Sequence, residues 1–211
     1  MGWNHNIFSS NRYHYALQGG KKITIIGIEG GIGTGKTLTG VHVTLQDLED
    51  GKRIYSNVRF KNITPEQRRR ITYLNAETIN NIFEKVKKKE LDLTNSTIFL
   101  QEMHNYMDSR NSGTAKNKVL SYWILQSRHT GKGSCDIIYD TQELRQVDLR
   151  LRNNTDHIWH PVITVQTHDK IPCEIVVQGF TKLRHNWIIY NKLLDVRKTI
   201  KQYDTHQIVE F

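Results

Sequence analysis

A chain of 211 residues with 37% hydrophobic residues suits one α/β domain with a buried sheet and leaves too little for a comfortable second one. Its 30 Lys and Arg against 21 Asp and Glu give a net charge of +9, which favours polyanionic partners such as nucleic acid or an acidic membrane surface. No apolar run approaches the roughly 20 residues of a membrane-spanning helix, the N-terminus lacks the apolar core of a signal peptide, and three prolines with no Ser/Gly-rich tract argue against a long linker.

The expectation is an intracellular protein with an N-terminal arm or tail over 1–20 and a single domain over 21–211. Cys135 and Cys173 are the only cysteines, each in an apolar stretch, and both read as buried free thiols.

Lys22 to Ile28 is a short β-branched run that reads as a buried strand. It leads into Gly30-Gly31-Ile32-Gly33-Thr34-Gly35-Lys36-Thr37, which fits G-x-x-x-x-G-K-[ST], the P-loop or Walker A motif. Leu38 to Asp50 then carries Leu38, Val41, Leu45 and Leu48 at helical spacing. Strand, glycine loop and helix are the context the motif needs. Glycines let several backbone N–H groups converge on one phosphate, and the first turn of the helix adds unpaired N–H groups. The cup from Gly30 to Leu38 is therefore the expected seat of ATP, with Lys36 neutralising the β- and γ-phosphates and the Thr37 hydroxyl ligating Mg²⁺.

Gly51 closes that helix, and Arg53 to Val58 reads as a second strand. Thr64 and Pro65 are the N-cap and first residue of a short helix to Arg70, and Ala76 to Lys89 is a helix with Ile79, Ile82, Phe83 and Val86 along one stripe. Thr97 to Glu102 is an apolar strand ending in acid, the Walker B pattern, expected beside the P-loop strand. Glu102 is the natural base or positioner for an attacking water. The preceding position, commonly Asp, is Gln101; its amide can accept a hydrogen bond from metal-bound water but brings no charge, so another acid, Asp140 or Asp108, is a candidate to assist. His104 to Lys118 reads as a polar surface loop, and Val119 to Thr130 as a helix ending in Arg128 and His129.

Cys135 to Gln142 reads as a further buried strand. Gln142 at its carboxyl end is a candidate sensor of the γ-phosphate, alongside the plain account of a strand-capping amide. Arg150, Arg152 and Arg128 are alternatives for an arginine supplied to a neighbouring subunit's nucleotide. Strands follow at His157–Val165, Cys173–Phe180 and Trp187–Tyr190; His157 and His160, three apart, fall on opposite faces of a strand and do not share a metal.

The order of these features, from Walker A through Glu102, Ser127-Arg128-His129, Thr141-Gln142, and Asp148 with Arg150 and Arg152, to Tyr203-Asp204-Thr205, resembles the FtsK–HerA branch of P-loop ATPases. Within that branch it is similar to the small genome-packaging ATPases of membrane-containing and archaeal viruses and to the zonular occludens toxin-like assembly ATPases of filamentous phages. The likeness runs from about Lys22 to the C-terminus. It implies a RecA-like P-loop NTPase fold: a mainly parallel central sheet flanked by helices, with additional C-terminal strands.

It further implies a homo-oligomeric ring, a hexamer, with ATP and Mg²⁺ between subunits and double-stranded DNA through the centre. The resulting expectation is a motor that packages a viral genome, in the host cytoplasm or on the virion, with capsid or vertex proteins as partners. Alternatives are a phage assembly or secretion ATPase acting on virion proteins, a small-molecule kinase, and a non-hydrolysing nucleotide-binding scaffold.

Overall fold

The computed structural model describes residues 24–88, 90–111, 135–183 and 186–203. Eight strands form one sheet: β1 (Ile25–Glu29), β2 (Arg53–Ser56), β3 (Ile71–Tyr73), β4 (Ser96–Leu100), β5 (Cys135–Thr141), β6 (His157–Gln166), β7 (Pro172–Leu183) and β8 (Asn186–Asp195). Their order is β3-β2-β4-β5-β1-β6-β7-β8. The first six are parallel, and β7 and β8 add an antiparallel meander to the β6 side. This is the expected mainly parallel sheet with extra C-terminal strands.

One placement differs. The strand that leads to Glu102, β4, does not lie beside the P-loop strand β1; β5 pairs with both. Sequence order says nothing about which parallel strand is inserted between two others, because each crossover is free to skip a neighbour.

The central strands are apolar on both faces, as a sheet covered on both sides requires. Ile26, Ile28, Ile54, Phe99 and Ile138 share one face and one core cluster with Val41, Leu45 and Leu48 of helix α1 (Lys36–Glu49), together with Trp159 of β6 and Ile175, Val177 and Leu194 of the added strands. Ile25, Ile98, Leu100, Ile137 and Tyr139 point to the other face. Gly40 lets α1 lie close to β4: a Cβ there would stand 2.4 Å from the Phe99 ring.

At the amino end of the sheet, Lys52 bridges two acids, 2.7 Å from Asp47 and 2.6 Å from Asp136. The other oxygens of those acids accept Thr97 Oγ1 at 2.7 Å and the Thr24 amide at 3.0 Å. Burial alone would pull the Lys52 ammonium pKa down; the two carboxylates outweigh it and hold the pKa above the ordinary value.

Local signals behave as expected where they are purely local. Thr64 caps α2 (Pro65–Arg69) in a complete capping box with Gln67, and helix α3 spans Ala76–Lys87. Three readings are corrected. First, β4 stops at Leu100, and Glu102 sits in a left-handed turn with φ 54°.

Second, the segment after it is not a surface loop in its described part. Met103, Tyr106 and Met107 are buried and join the core below β4 and β5, because two 3₁₀ turns, Met103–Asn105 and Ser109–Asn111, fold the chain back under the sheet edge. Third, Cys135 is buried, whereas Cys173 is only partly so; both are free thiols. Strand β3 had no pattern long enough to be read. The expected arm over 1–20 and helix over 119–130 lie outside the described residues.

Candidate nucleotide-binding and hydrolytic site

The P-loop connects β1 to α1 at the carboxyl end of the parallel strands. Gly33 and Gly35 take φ of 78° and 89°, a backbone region that side-chain-bearing residues rarely enter. Thr34 Oγ1 donates to the Gly31 carbonyl at 2.9 Å, and Lys36 Nζ donates to the same carbonyl at 2.8 Å. Lys36 is only 6% exposed. A buried ammonium whose hydrogen-bonded partner is a neutral carbonyl is suited to an anion over the loop. Ile32, 88% exposed, crowns the loop.

Thr37 opens the first turn of α1. Its hydroxyl donates to Asp140 Oδ2 at 2.9 Å, and Oδ1 of the same carboxylate accepts the Glu102 amide at 2.7 Å. Asp140 is completely buried. Burial pushes its pKa up to about 6, against the pull of the Glu102 amide and the Thr37 hydroxyl. The nearby Glu102 charge raises it further and Lys36 lowers it.

Of the two acids weighed as partners for Gln101, the structure thus brings Asp140 to Thr37. Asp108 lies instead in a cleft farther out, hydrogen-bonded to Arg110, which holds its carboxyl below the usual range.

The Glu102 carboxylate is partly exposed, with Oε2 3.4 Å from His104 Nδ1. Gln101 is gripped through its backbone: Asn57 Nδ2 donates to its carbonyl at 3.0 Å and Asn57 Oδ1 accepts its amide at 2.8 Å. The Gln101 side-chain oxygen is buried with no hydrogen-bond partner among the described residues. Asn57 and His104 were missed in the sequence. Asn57 follows β2 at the same sheet edge, which was its only available signal.

Gln142 follows β5 directly and is exposed. It lines a cleft of about 410 Å³ with His104, Asp108, Arg110, Arg145 and Gln146. The β5 residue bonded to Thr37 is Asp140, two places earlier. Arg150 and Arg152 lie on the short helix α4 (Leu149–Asn153), Arg150 exposed and Arg152 half-buried. Arg128 lies outside the described residues.

Among the described residues no group of three or more His, Cys, Asp or Glu is arranged to hold a metal by itself. The donors that are present, a hydroxyl sharing its proton with a buried carboxylate, fit a Mg²⁺ that takes its remaining ligands from phosphate and water. Also among the described residues, no helix is long and apolar enough to cross a membrane.

The fold is shared with solved structures of low sequence identity. The N-terminal domain of zonular occludens toxin from Neisseria meningitidis matches with a TM-score of 0.59 at 19% identity, over 87% of this chain and 100% of that one. The genome packaging NTPase B204 of Sulfolobus turreted icosahedral virus 2, in complex with AMPPCP, matches with a TM-score of 0.56 at 11% identity, over 82% and 99%. The same protein in complex with ATP-gammaS gives 0.54 at 11%, over 80% and 96%. No curated protein sequence matches.

These likenesses identify a RecA-like P-loop ATPase fold. The sequence profile of one family, zonular occludens toxin (Zot), matches residues 24–162, a span that holds the P-loop, the Walker B strand, Asp140 and α4; the chain belongs to the zonular occludens toxin family.

Proposed function

We propose that this chain is an ATP-hydrolysing motor subunit of the FtsK–HerA type that moves double-stranded DNA, packaging a viral genome into a capsid. The observation that carries the reading is the joining of Thr37 and Glu102 through one carboxylate, Asp140, beside a buried Lys36. The phosphate-binding and water-activating residues thereby converge on one sheet edge. The packaging role leans on the likeness in fold to the viral B204 NTPase, and the +9 net charge suits a polyanionic cargo.

In this reading the P-loop amides and Lys36 bind the β- and γ-phosphates, and Glu102 takes the proton of the attacking water. Gln142 senses the γ-phosphate, and Arg150, Arg152 or Arg128 of a neighbouring subunit completes the charge stabilisation. Bound Mg²⁺, held beside Thr37, would neutralise charge developing on the phosphate oxygens. The assembly is a hexameric ring around DNA, working in the host cytoplasm or at the virion with capsid or vertex proteins.

ATP turnover measured with and without double-stranded DNA tests this. Stimulation by DNA, abolished in Lys36→Ala, is the expected result. Phosphate transfer to a small acceptor would mean a kinase, and no turnover a nucleotide-binding scaffold; either overturns the motor. The family match favours a second reading, an assembly or secretion ATPase acting on virion proteins. Turnover indifferent to DNA but raised by a virion protein would establish it.

A further inference from the structure

A hydroxyl serves a cation through its lone pairs, so its proton must be accepted elsewhere. Thr37 gives its proton to Asp140, at 2.9 Å. The acceptor is a carboxylate with no exposure to solvent, whose other oxygen holds the Glu102 amide at 2.7 Å. One acid therefore orients both Thr37 and the backbone of Glu102.

Gln101 stands where an acid is commonly found, and it brings no charge. Its backbone is clamped by Asn57, and its side-chain oxygen is buried with no hydrogen-bond partner among the described residues. Strand order explains the exchange. β5 lies between β1 and β4, and Asp140 pairs in register with Ile28, two residues before the P-loop begins. A carboxylate at that point of β5 reaches the first turn of α1 without help from β4.

We propose that Asp140, rather than a residue of the Walker B strand, is the acid that holds the divalent cation of bound nucleotide beside Thr37. The proposal rests on the ATP-binding reading of the P-loop. A purely structural Asp140 would pin Glu102 and Thr37 in place but take no part in the response to metal.

The test is the equilibrium affinity for ATP, with Mg²⁺ and with excess EDTA, of the wild-type chain and two variants, each first checked by thermal melting. In the wild type, Mg²⁺ tightens ATP binding. Asp140→Asn keeps the shape and an acceptor for the Glu102 amide, so the EDTA affinity stays near wild type while the Mg²⁺-dependent gain falls by about 10-fold or more. Gln101→Asp, with Asp140 intact, adds little because the acid is already present.

If Asp140→Asn keeps the full gain, or if Gln101→Asp enlarges it by about 10-fold, the assignment of Asp140 is wrong and the P-loop reading stands. If the wild type binds no ATP under either condition, the P-loop reading falls and takes this inference with it. Should Asp140→Asn fail to fold, Gln101→Asp decides alone.

Discussion

Strand β5 carries an aspartate near each end, and the two are treated in opposite ways. At the amino end, Asp136 shares Lys52 with Asp47, and the remaining oxygens accept Thr97 and the Thr24 amide. In that cluster every carboxylate oxygen has a donor, and one ammonium serves both acids. At the carboxyl end, Asp140 is buried more completely, and its hydrogen-bond donors among the described residues are neutral, the Thr37 hydroxyl and the Glu102 amide. Among the described residues no cation is hydrogen-bonded to it, and its pKa rises to about 6, chiefly through burial, with Lys36 only partly opposing. Lys36, the cation of that edge, is hydrogen-bonded to a loop carbonyl instead. The same sheet thus has a finished edge, where two carboxylates share a cation, and an unfinished edge, where a buried carboxylate has neutral hydrogen-bond partners among the described residues.

Four measurements break or sharpen this contrast. The largest effect is expected at the unfinished edge: Glu102→Gln lowers ATP turnover by about 10²–10⁴-fold, while ATP affinity and melting temperature stay near wild type. A melting temperature that falls along with turnover would make Glu102 a structural acid like Asp47.

Next comes the finished edge. Lys52→Met leaves two acids facing each other with no cation and should cost about 3–5 kcal/mol in urea unfolding; turnover per folded molecule should be unchanged. If unfolding is unaffected, the amino-end cluster is not a stabilising one.

A half-buried base away from both edges calibrates the cost of charging a shielded site. His42 of α1 hydrogen-bonds Thr199 at 2.8 Å and neighbours Gln46. Burial, then the charge of Lys192, lowers its pKa from 6.5 to about 4, partly opposed by Asp195 and Glu49. A depressed folded pKa means that the unfolded chain binds the proton first. The stability from His42 is therefore complete above pH 6.5 and is lost as pH falls toward 4, on the order of 3 kcal/mol. Unfolding free energy measured across that window should fall in the wild type and be flatter in His42→Gln.

The smallest effect probes packing common to both edges. Gly40→Ala pushes a methyl into the Phe99 ring and should cost about 1–3 kcal/mol. An unchanged melting temperature would show that α1 can lift from β4.

Much of the fold was legible because its signals are local. The P-loop, the Thr64 cap and helix α3 each depend on residues within one or two turns of one another, and each lies where the pattern placed it. β3 was missed because three residues carry too little pattern to stand out. The buried Met103, Tyr106 and Met107 were missed because isolated apolar residues among polar ones read as a loop until 3₁₀ turns aim them at one place. Within the site, the Lys36 and Thr37 assignments came from motif spacing. Asn57 and His104 had no such spacing, being joined to Gln101 and Glu102 only through space.

What the amino-acid sequence determined alone was the chemistry at each point: a glycine loop with Lys36 and Thr37, an acid at Glu102, and an uncharged Gln101 where acid is usual. What only the tertiary structure decided was who stands next to whom. Asp140 and Thr37 are 103 residues apart. They meet because β5 is inserted between β1 and β4, a choice made by the global packing of crossovers and invisible to any local pattern.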